Sequence, residues 1–150
     1  MTRWNRIDEV LDFAVSEEEA AAAFYTALAE RAEHPSIREV FEGFAREEQQ
    51  HKAKLLAVKA GEAVVGAEGG VPDLKIADYL VDVEPSPDMS YQDALIVAMK
   101  KEKKAFMLYQ DLAAAAGGQK VKAVFLALAE EEAKHKLRLE ITYDELLTED

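Results

Sequence analysis

The sequence predicts an all-α protein, a bundle of four helices built from two similar helical hairpins. Three observations lead to this prediction: Ala, Glu, Lys and Leu dominate, apolar residues recur at helical spacing, and the two halves of the chain repeat. With 7 Gly and 4 Pro among 150 residues, the composition favours long helices. A chain of this length fits one domain, which we expect to span residues 1–150.

The first hairpin is predicted over about residues 6–60. Its first helix runs roughly to Ala32, and we expect His34-Pro35 to end it, because the residue before a proline is disfavoured in a helix. The segment Ser36-Ile37-Arg38-Glu39 has the pattern of a capping box, which predicts that the second helix begins there. Gly61 then supplies a stop signal for that helix.

A long connection over residues 61–89 separates the two hairpins and holds three of the 4 prolines. Its apolar residues, among them Tyr79 and Leu80, are expected to pack against the bundle. The second hairpin follows over about residues 90–147, and its first helix is predicted to start near Ser90. A short turn, a long connection and a second short turn predict a crossover that runs the length of the bundle.

Charge and composition exclude several classes of function. The formal net charge is −12 and no basic stripe is present, so neither nucleic acid nor an anionic membrane surface is an expected partner. The absence of cysteine excludes disulfides, thiolate metal sites and cysteine nucleophiles. No apolar run approaches the roughly 20 residues that span a bilayer, and no signal-peptide core follows the basic start. We therefore expect a cytoplasmic location.

An internal repeat links the two halves of the chain. Shifting the sequence by 84 residues aligns the halves without a gap, and it keeps four chemically distinctive residues in register: Glu18 with Glu102, Tyr25 with Tyr109, Glu48 with Glu132, and His51 with His135. Shared helical composition does not explain this register. Each half therefore looks like one helical hairpin that carries half of a site.

Each half places Glu-x6-Tyr on its first helix and Glu-x-x-His on its second, on apolar helix faces. Four buried carboxylates would repel one another, take up protons or require cations. Two divalent metal ions balance their charge, and four-helix bundles that hold two iron or two manganese ions use this pattern. The predicted metal ligands are Glu18, Glu48, His51, Glu102, Glu132 and His135.

Four further residues keep register with these ligands in the repeat. Glu47 and Glu131 also keep register in the repeat, and we expect them at the surface or against the ligands rather than among them. Tyr25 and Tyr109 are the candidate catalytic residues outside the ligand set. The simplest expectation is that each is a core aromatic residue whose hydroxyl hydrogen-bonds a ligand carboxylate.

These segments resemble the rubrerythrin branch of the ferritin-like superfamily over nearly the whole chain. The resemblance rests on Phe24-Tyr25 and on residues 45–51 and 128–135. It implies a ferritin-like fold, a di-iron site and reduction of hydrogen peroxide to water. The chain departs from rubrerythrins proper in two respects. It lacks a cysteine-ligated rubredoxin module, and it has Ala105 where they carry an additional carboxylate.

We therefore predict a non-haem di-iron oxidoreductase that reacts with hydrogen peroxide or dioxygen, as a rubrerythrin-like peroxidase or a ferroxidase. A separate donor such as a rubredoxin-like protein, or Fe²⁺ itself, would supply electrons, and a homodimer is the expected assembly. Iron binding or sequestration without multiple turnover is the alternative, and a metal-free helical interaction module is a third. Manganese also suits carboxylate ligands, so the sequence leaves the metal open between iron and manganese.

Overall fold

The computed structural model describes residues 7–61, 76–81, 86 and 88–148. The part of the chain that it describes contains four long helices, one short 3₁₀ turn at Ile76–Tyr79 and no strand. The helices are α1 (Ile7–Arg31), α2 (Pro35–Ala60), α3 (Tyr91–Ala115) and α4 (Gln119–Thr148). This architecture confirms the predicted all-α, four-helix fold. None of these described helices is long and apolar enough to cross a membrane.

The helices pack as two hairpins, α1 against α2 and α3 against α4, and contacts between α1 and α3 and between α2 and α4 close the bundle. The apolar core has two clusters. One includes Leu11, Leu55 and Phe125, and the other includes Leu28 and Phe41. Each fully buried side chain of this size stabilises the fold by roughly 1.5–3 kcal/mol. The two clusters therefore supply the stability that a buried polar layer between them requires.

Contacts at the two ends of α1 define the path of the crossover. Lys59, near the end of α2, lies 2.5 Å from the Asp12 carboxylate near the start of α1. At the other end of α1, the Arg31 guanidinium donates a 2.8 Å hydrogen bond to the carbonyl oxygen of Met89, just before α3. Lys59 and Met89 therefore lie at opposite ends of α1, so the connection that joins them has to span the length of the bundle, as the predicted crossover requires.

Within the crossover, Tyr79 is buried, and its hydroxyl donates a 2.7 Å hydrogen bond to Asp111 on α3. The packing predicted for Tyr79 is therefore confirmed. Leu80, in contrast, is 42 % exposed, so only part of this side chain is covered. Residues 62–75 and 82–85, most of the predicted crossover, lie outside the described residues, as do the first and last positions of the predicted domain.

The structure tests where α2 and α3 were predicted to begin. Helix α2 begins at Pro35, with His34 at the N-cap position and no side-chain capping bond, so the capping box predicted at Ser36 is wrong. Proline is favoured at the first helical position because the N–H group it lacks has no helical partner there, and its φ angle already suits a helix. At α3, the Ser90 hydroxyl accepts a 3.0 Å hydrogen bond from the Asp93 N–H, so this helix begins where the sequence predicted.

Candidate metal centre

A layer of polar side chains divides the apolar core at the middle of the bundle. The structure brings together and buries all six predicted metal ligands: Glu18 from α1, Glu48 and His51 from α2, Glu102 from α3, and Glu132 and His135 from α4. On each helix the polar residue falls between residues of the two apolar clusters. The same helical spacing that builds the core therefore carries four carboxylates and two imidazoles into it.

The six side chains form two overlapping groups of four. The first group contains Glu18 and His51, and the second contains Glu102 and His135. Glu48 and Glu132 belong to both groups. Within each group, one candidate ligand atom from every member lies within 4.8 Å of the others. The arrangement therefore offers two adjacent cation positions with two carboxylates shared between them.

Both histidines turn the same ring nitrogen towards the carboxylates. Nδ1 of His51 lies 2.9 Å from Glu48 and 3.6 Å from Glu18. Nδ1 of His135 lies 2.8 Å from Glu102 and 3.3 Å from Glu132. This shared orientation places one imidazole donor atom in each group and leaves Nε2 of each ring facing outward.

Several polar atoms of the layer have no hydrogen-bond partner among the described residues, although they are fully buried. They are Oε1 of Glu18, both carboxylate oxygens of Glu48, Oε1 of Glu132 and Nδ1 of His51. Nδ1 of His51 nevertheless lies 2.9 Å from a carboxylate oxygen of Glu48, so two potential ligand atoms face each other across the layer. Unsatisfied buried oxygen and nitrogen atoms are costly without a partner, and these are the donor types that divalent cations prefer. The residues present therefore fit a pair of metal ions.

The electrostatics of the layer point to the same requirement for positive charge. Burial, reinforced by repulsion from neighbouring carboxylates, raises the pKa of Glu48 and Glu132 well above the ordinary value. Burial also raises the pKa of Glu102. Burial disfavours the charged form of His135, but hydrogen bonding to Glu102 and nearby carboxylates outweigh it and raise its pKa to about 9. Protons are thus the alternative to cations in this layer.

Outside the layer, each histidine contacts a glutamate of the opposite hairpin. Nε2 of His51 lies 2.9 Å from Glu131 on α4, and Nε2 of His135 lies 2.9 Å from Glu47 on α2. An acceptor on the outer ring nitrogen fixes the tautomer and orientation of a metal-binding imidazole. Sequence reasoning placed both glutamates near the ligands but missed this exchange between hairpins. The repeat, which keeps both in register, was the available signal.

The two predicted tyrosines form a second exchange between the hairpins. Tyr109 on α3 donates a hydrogen bond to Oε2 of Glu18 on α1, and Tyr25 on α1 bonds Glu102 on α3. Both rings are buried. Burial, and then the charge of the nearby carboxylates, raises the pKa of each hydroxyl well above its ordinary value. The tyrosines therefore stay protonated and act as donors to carboxylate oxygens.

A pocket of about 40 Å³ reaches the polar layer from the side of α1 and α3. Glu18 and Glu102 contribute to its wall, together with Ala105, and Glu17 and Lys101 also line it. A volume of about 10–15 Å³ is enough for one water molecule, so this pocket admits molecules of two or three non-hydrogen atoms and little more. Sequence reasoning did not find this opening.

Comparison with known proteins identifies the family of this chain. A family model described as Rubrerythrin matches residues 9–67 and 93–149, which include all six buried residues of the layer. The chain belongs to the rubrerythrin family. No curated protein shows a significant match to this rubrerythrin-family chain.

Two solved structures resemble this rubrerythrin-family chain. A protein from Thermotoga maritima, assigned as a ferritin-like diiron-carboxylate protein, superposes with a TM-score of 0.81 at 20 % identity, covering 97 % of this chain and 99 % of that one. A hypothetical protein from Pyrococcus furiosus superposes with a TM-score of 0.70 at 28 % identity, covering 93 % and 89 %. The likeness confirms the ferritin-like fold that the sequence resemblance implied.

Proposed function

We propose that this protein is a non-haem di-iron oxidoreductase that reacts with hydrogen peroxide or dioxygen. One observation carries the proposal: two groups of buried ligands share Glu48 and Glu132, and in the described part of the chain neither oxygen of Glu48 has a hydrogen-bond partner. Membership of the rubrerythrin family and the likeness to a protein assigned as diiron-carboxylate support iron as the metal. Manganese fits the same oxygen and nitrogen donors, so metal analysis decides between them.

The proposed ligand roles follow from the two groups. Glu18 and His51 would hold one ion, Glu102 and His135 the other, and Glu48 and Glu132, which belong to both groups, would supply oxygen donors to both. Four carboxylates carry four negative charges, which two divalent ions balance. The buried layer then becomes neutral, and neutrality removes the mutual repulsion that, after burial, raises the pKa of Glu48 and Glu132.

The protein's own groups would position the metals and limit access to them. Bound iron would supply the electrons that reduce the oxidant, and reduction of one hydrogen peroxide to two waters consumes two electrons and two protons. The pocket beside Ala105 is large enough for peroxide or dioxygen, while the two apolar clusters exclude bulk water. Tyr25 and Tyr109, each bonded to a terminal carboxylate, would hold those ligands in place.

Metal content tests the site directly, with Glu130→Gln as a matched control for Glu132→Gln. Both changes remove one carboxylate from α4, but Glu130 has a 70 % exposed side chain and Glu132 is shared by both groups. Wild type and Glu130→Gln should bind about two ions per chain, as the paired ligand sets of such bundles imply. Glu132→Gln should lose most of both. A folded wild type that takes up no added Fe²⁺ would falsify the site.

Steady-state consumption of peroxide separates the oxidoreductase from the sequestration alternative. Iron-loaded protein is mixed with hydrogen peroxide and an excess of an artificial reductant. Many peroxides consumed per di-iron site support the enzyme, and consumption that stops after one equivalent supports iron binding without multiple turnover. The same assay with a rubredoxin-like protein, or with Fe²⁺, in place of the artificial reductant tests the proposed electron donors.

The homodimer remains a proposal with one observation in its favour. Helix α4 exposes four large apolar side chains, which association with a second copy would cover: Leu126, Leu137, Ile141 and Leu147. Light scattering after size exclusion should then report twice the chain mass of 16.6 kDa. A mass equal to one chain at micromolar concentration would contradict the dimer.

A further inference from the structure

A second and larger pocket lies at the end of the bundle, away from the polar layer. Its volume is about 670 Å³, within the roughly 300–1,000 Å³ typical of sites for small organic ligands. The turn between α1 and α2, the start of α3 and the last turns of α4 enclose it. None of its lining residues belongs to the candidate metal centre.

The wall of this pocket contains two polar atoms that have no hydrogen-bond partner in the described part of the chain. Nε of Arg138 is buried and has no hydrogen-bond partner among the described residues, and the same is true of Oγ1 of Thr142. Thr142 is only 5 % exposed, so water is not freely available to its hydroxyl. Leaving such groups unsatisfied is costly, and a bound ligand with acceptor oxygens would remove that cost.

Charge around the pocket favours an anion at this depth. Arg31 lies at the wall with Arg138, and α2 begins there with no acidic residue in its first turn and no side-chain cap. The start of a helix carries partial positive charge that anions complement. Glu33 and Glu145 also line the pocket, but both are exposed, and neither forms an ion pair with Arg138 within the described part of the chain.

Apolar side chains complete the wall, and they indicate that the ligand has an apolar part and is larger than an inorganic ion. Ile37, Tyr91 and Leu146 line the pocket beside the polar groups. We propose that this pocket binds a small organic oxyanion, with a carboxylate or phosphate head on Arg138 and Thr142 and an apolar body against these three residues. In a chain with a net charge of −12, such a site would have to rely on these local donors.

Calorimetric titration of iron-loaded protein with four probes tests the proposal. The probes are benzoate, phenyl phosphate, inorganic phosphate and the neutral phenol. We expect one benzoate or phenyl phosphate per chain to bind more tightly than either remaining probe. Binding of either organic anion supports the site, and the preferred one identifies the head group. Equal binding of phenol, or of inorganic phosphate, overturns the proposal.

Substitutions in the pocket test where the probe binds, and a substitution at an exposed lysine controls for the change in net charge. Arg138→Gln should weaken the preferred probe about tenfold or more, because hydrogen bonds to charged groups contribute about 1.5–3 kcal/mol. Thr142→Val should weaken it less. Lys134→Gln makes the same change of charge on α4 at a 70 % exposed side chain and should have no effect. If Arg138→Gln retains wild-type affinity and melting temperature, the pocket is not an anion site.

Discussion

The two hairpins present the same chemical groups to the metal centre but surround them with different packing. In the first hairpin, Phe44 stacks on the His135 ring with centroids 4.0 Å apart, and Tyr25 meets the same ring edge-on at 6.1 Å. The repeat places Leu128 at the position equivalent to Phe44, so His51 has no stacked ring from that position. Ligands and their outer acceptors match between the halves, whereas the apolar residues behind them differ.

This difference separates two kinds of constraint. The charges of a buried ligand layer must be balanced group by group, because each unpaired carboxylate or donor is costly. Apolar packing requires only suitable volume and shape, so a phenyl ring and a leucine side chain serve at equivalent places. The exchanged contacts of His51 with Glu131 and of His135 with Glu47 also tie the two hairpins together, so neither half of the site is complete alone.

The largest expected effect concerns what both halves share, the layer of four glutamates. Removing the metal with a chelator should lower the melting temperature by many degrees, since binding at a thousandfold excess over Kd contributes about 4 kcal/mol. Changing all four layer glutamates to Gln should abolish metal binding. It should also make the metal-free fold more stable than metal-free wild type, because repulsion and desolvation of charge are removed.

Thermal melting of metal-free and metal-loaded proteins measures both effects. A control variant removes the same number of carboxylates from exposed positions and accounts for the lower net charge; the four are Glu30, Glu39, Glu42 and Glu130. The variant of the layer should gain more stability than this control. If it melts well below metal-free wild type, the glutamates are not a mutually repelling buried cluster.

Prediction from the sequence succeeded for features that depend only on which residues share one face of a helix. Helical spacing and the repeat predicted that six residues lie in the core. Residues three, four and seven positions apart share one face of their helix, regardless of which helix packs against that face. Spacing within one helix does not say which side chain of another helix it meets. For that reason the bonds from Tyr109 to Glu18 and from Tyr25 to Glu102 became visible only in the structure. The misplaced capping box at Ser36 arose from local competition with Pro35, which the pattern alone does not rank.

The second effect compares the two histidines. Because each imidazole belongs to one group of ligands, His51→Ala and His135→Ala should each reduce iron content from about two ions per chain towards one. The reductions should be similar, since both rings place Nδ1 among the carboxylates. His34→Ala, at an exposed turn, is the control. Metal analysis that finds one layer variant unchanged would contradict the near-symmetric site.

The third effect is a dependence on pH shared by both halves. Glu48, Glu102 and Glu132 have a raised pKa in the metal-free fold, first because they are buried. Their protonated forms stabilise the fold fully below the ordinary pKa of 4.5, and this contribution is lost as pH rises through the folded-state values. His135 behaves in the same direction: its contribution is complete below 6.5 and is lost as pH rises through about 9.

Metal-free protein should therefore become less stable as pH rises from about 5 to 9. Metal binding requires deprotonated ligands and strengthens over the same interval. The difference in melting temperature between metal-loaded and metal-free protein should widen with pH. Melting curves at unit steps of pH measure it, with the quadruple Gln variant as a control that should show a flatter profile. A difference that narrows towards alkaline pH would argue against protons and metal competing for this layer.

The smallest expected effect tests the packing that distinguishes the halves. Phe44→Leu gives the first hairpin the residue that the second carries at Leu128, and it removes the ring stacked on His135. A swap of similar volume in a core usually costs below about 1.5 kcal/mol, so urea unfolding should show a modest loss of stability. Iron content should stay at about two per chain, because Glu47 still contacts Nε2 of His135 and fixes the orientation of the ring. If iron falls in proportion to that of His135→Ala, the aromatic ring positions the ligand, and the two halves differ in function as well as in packing.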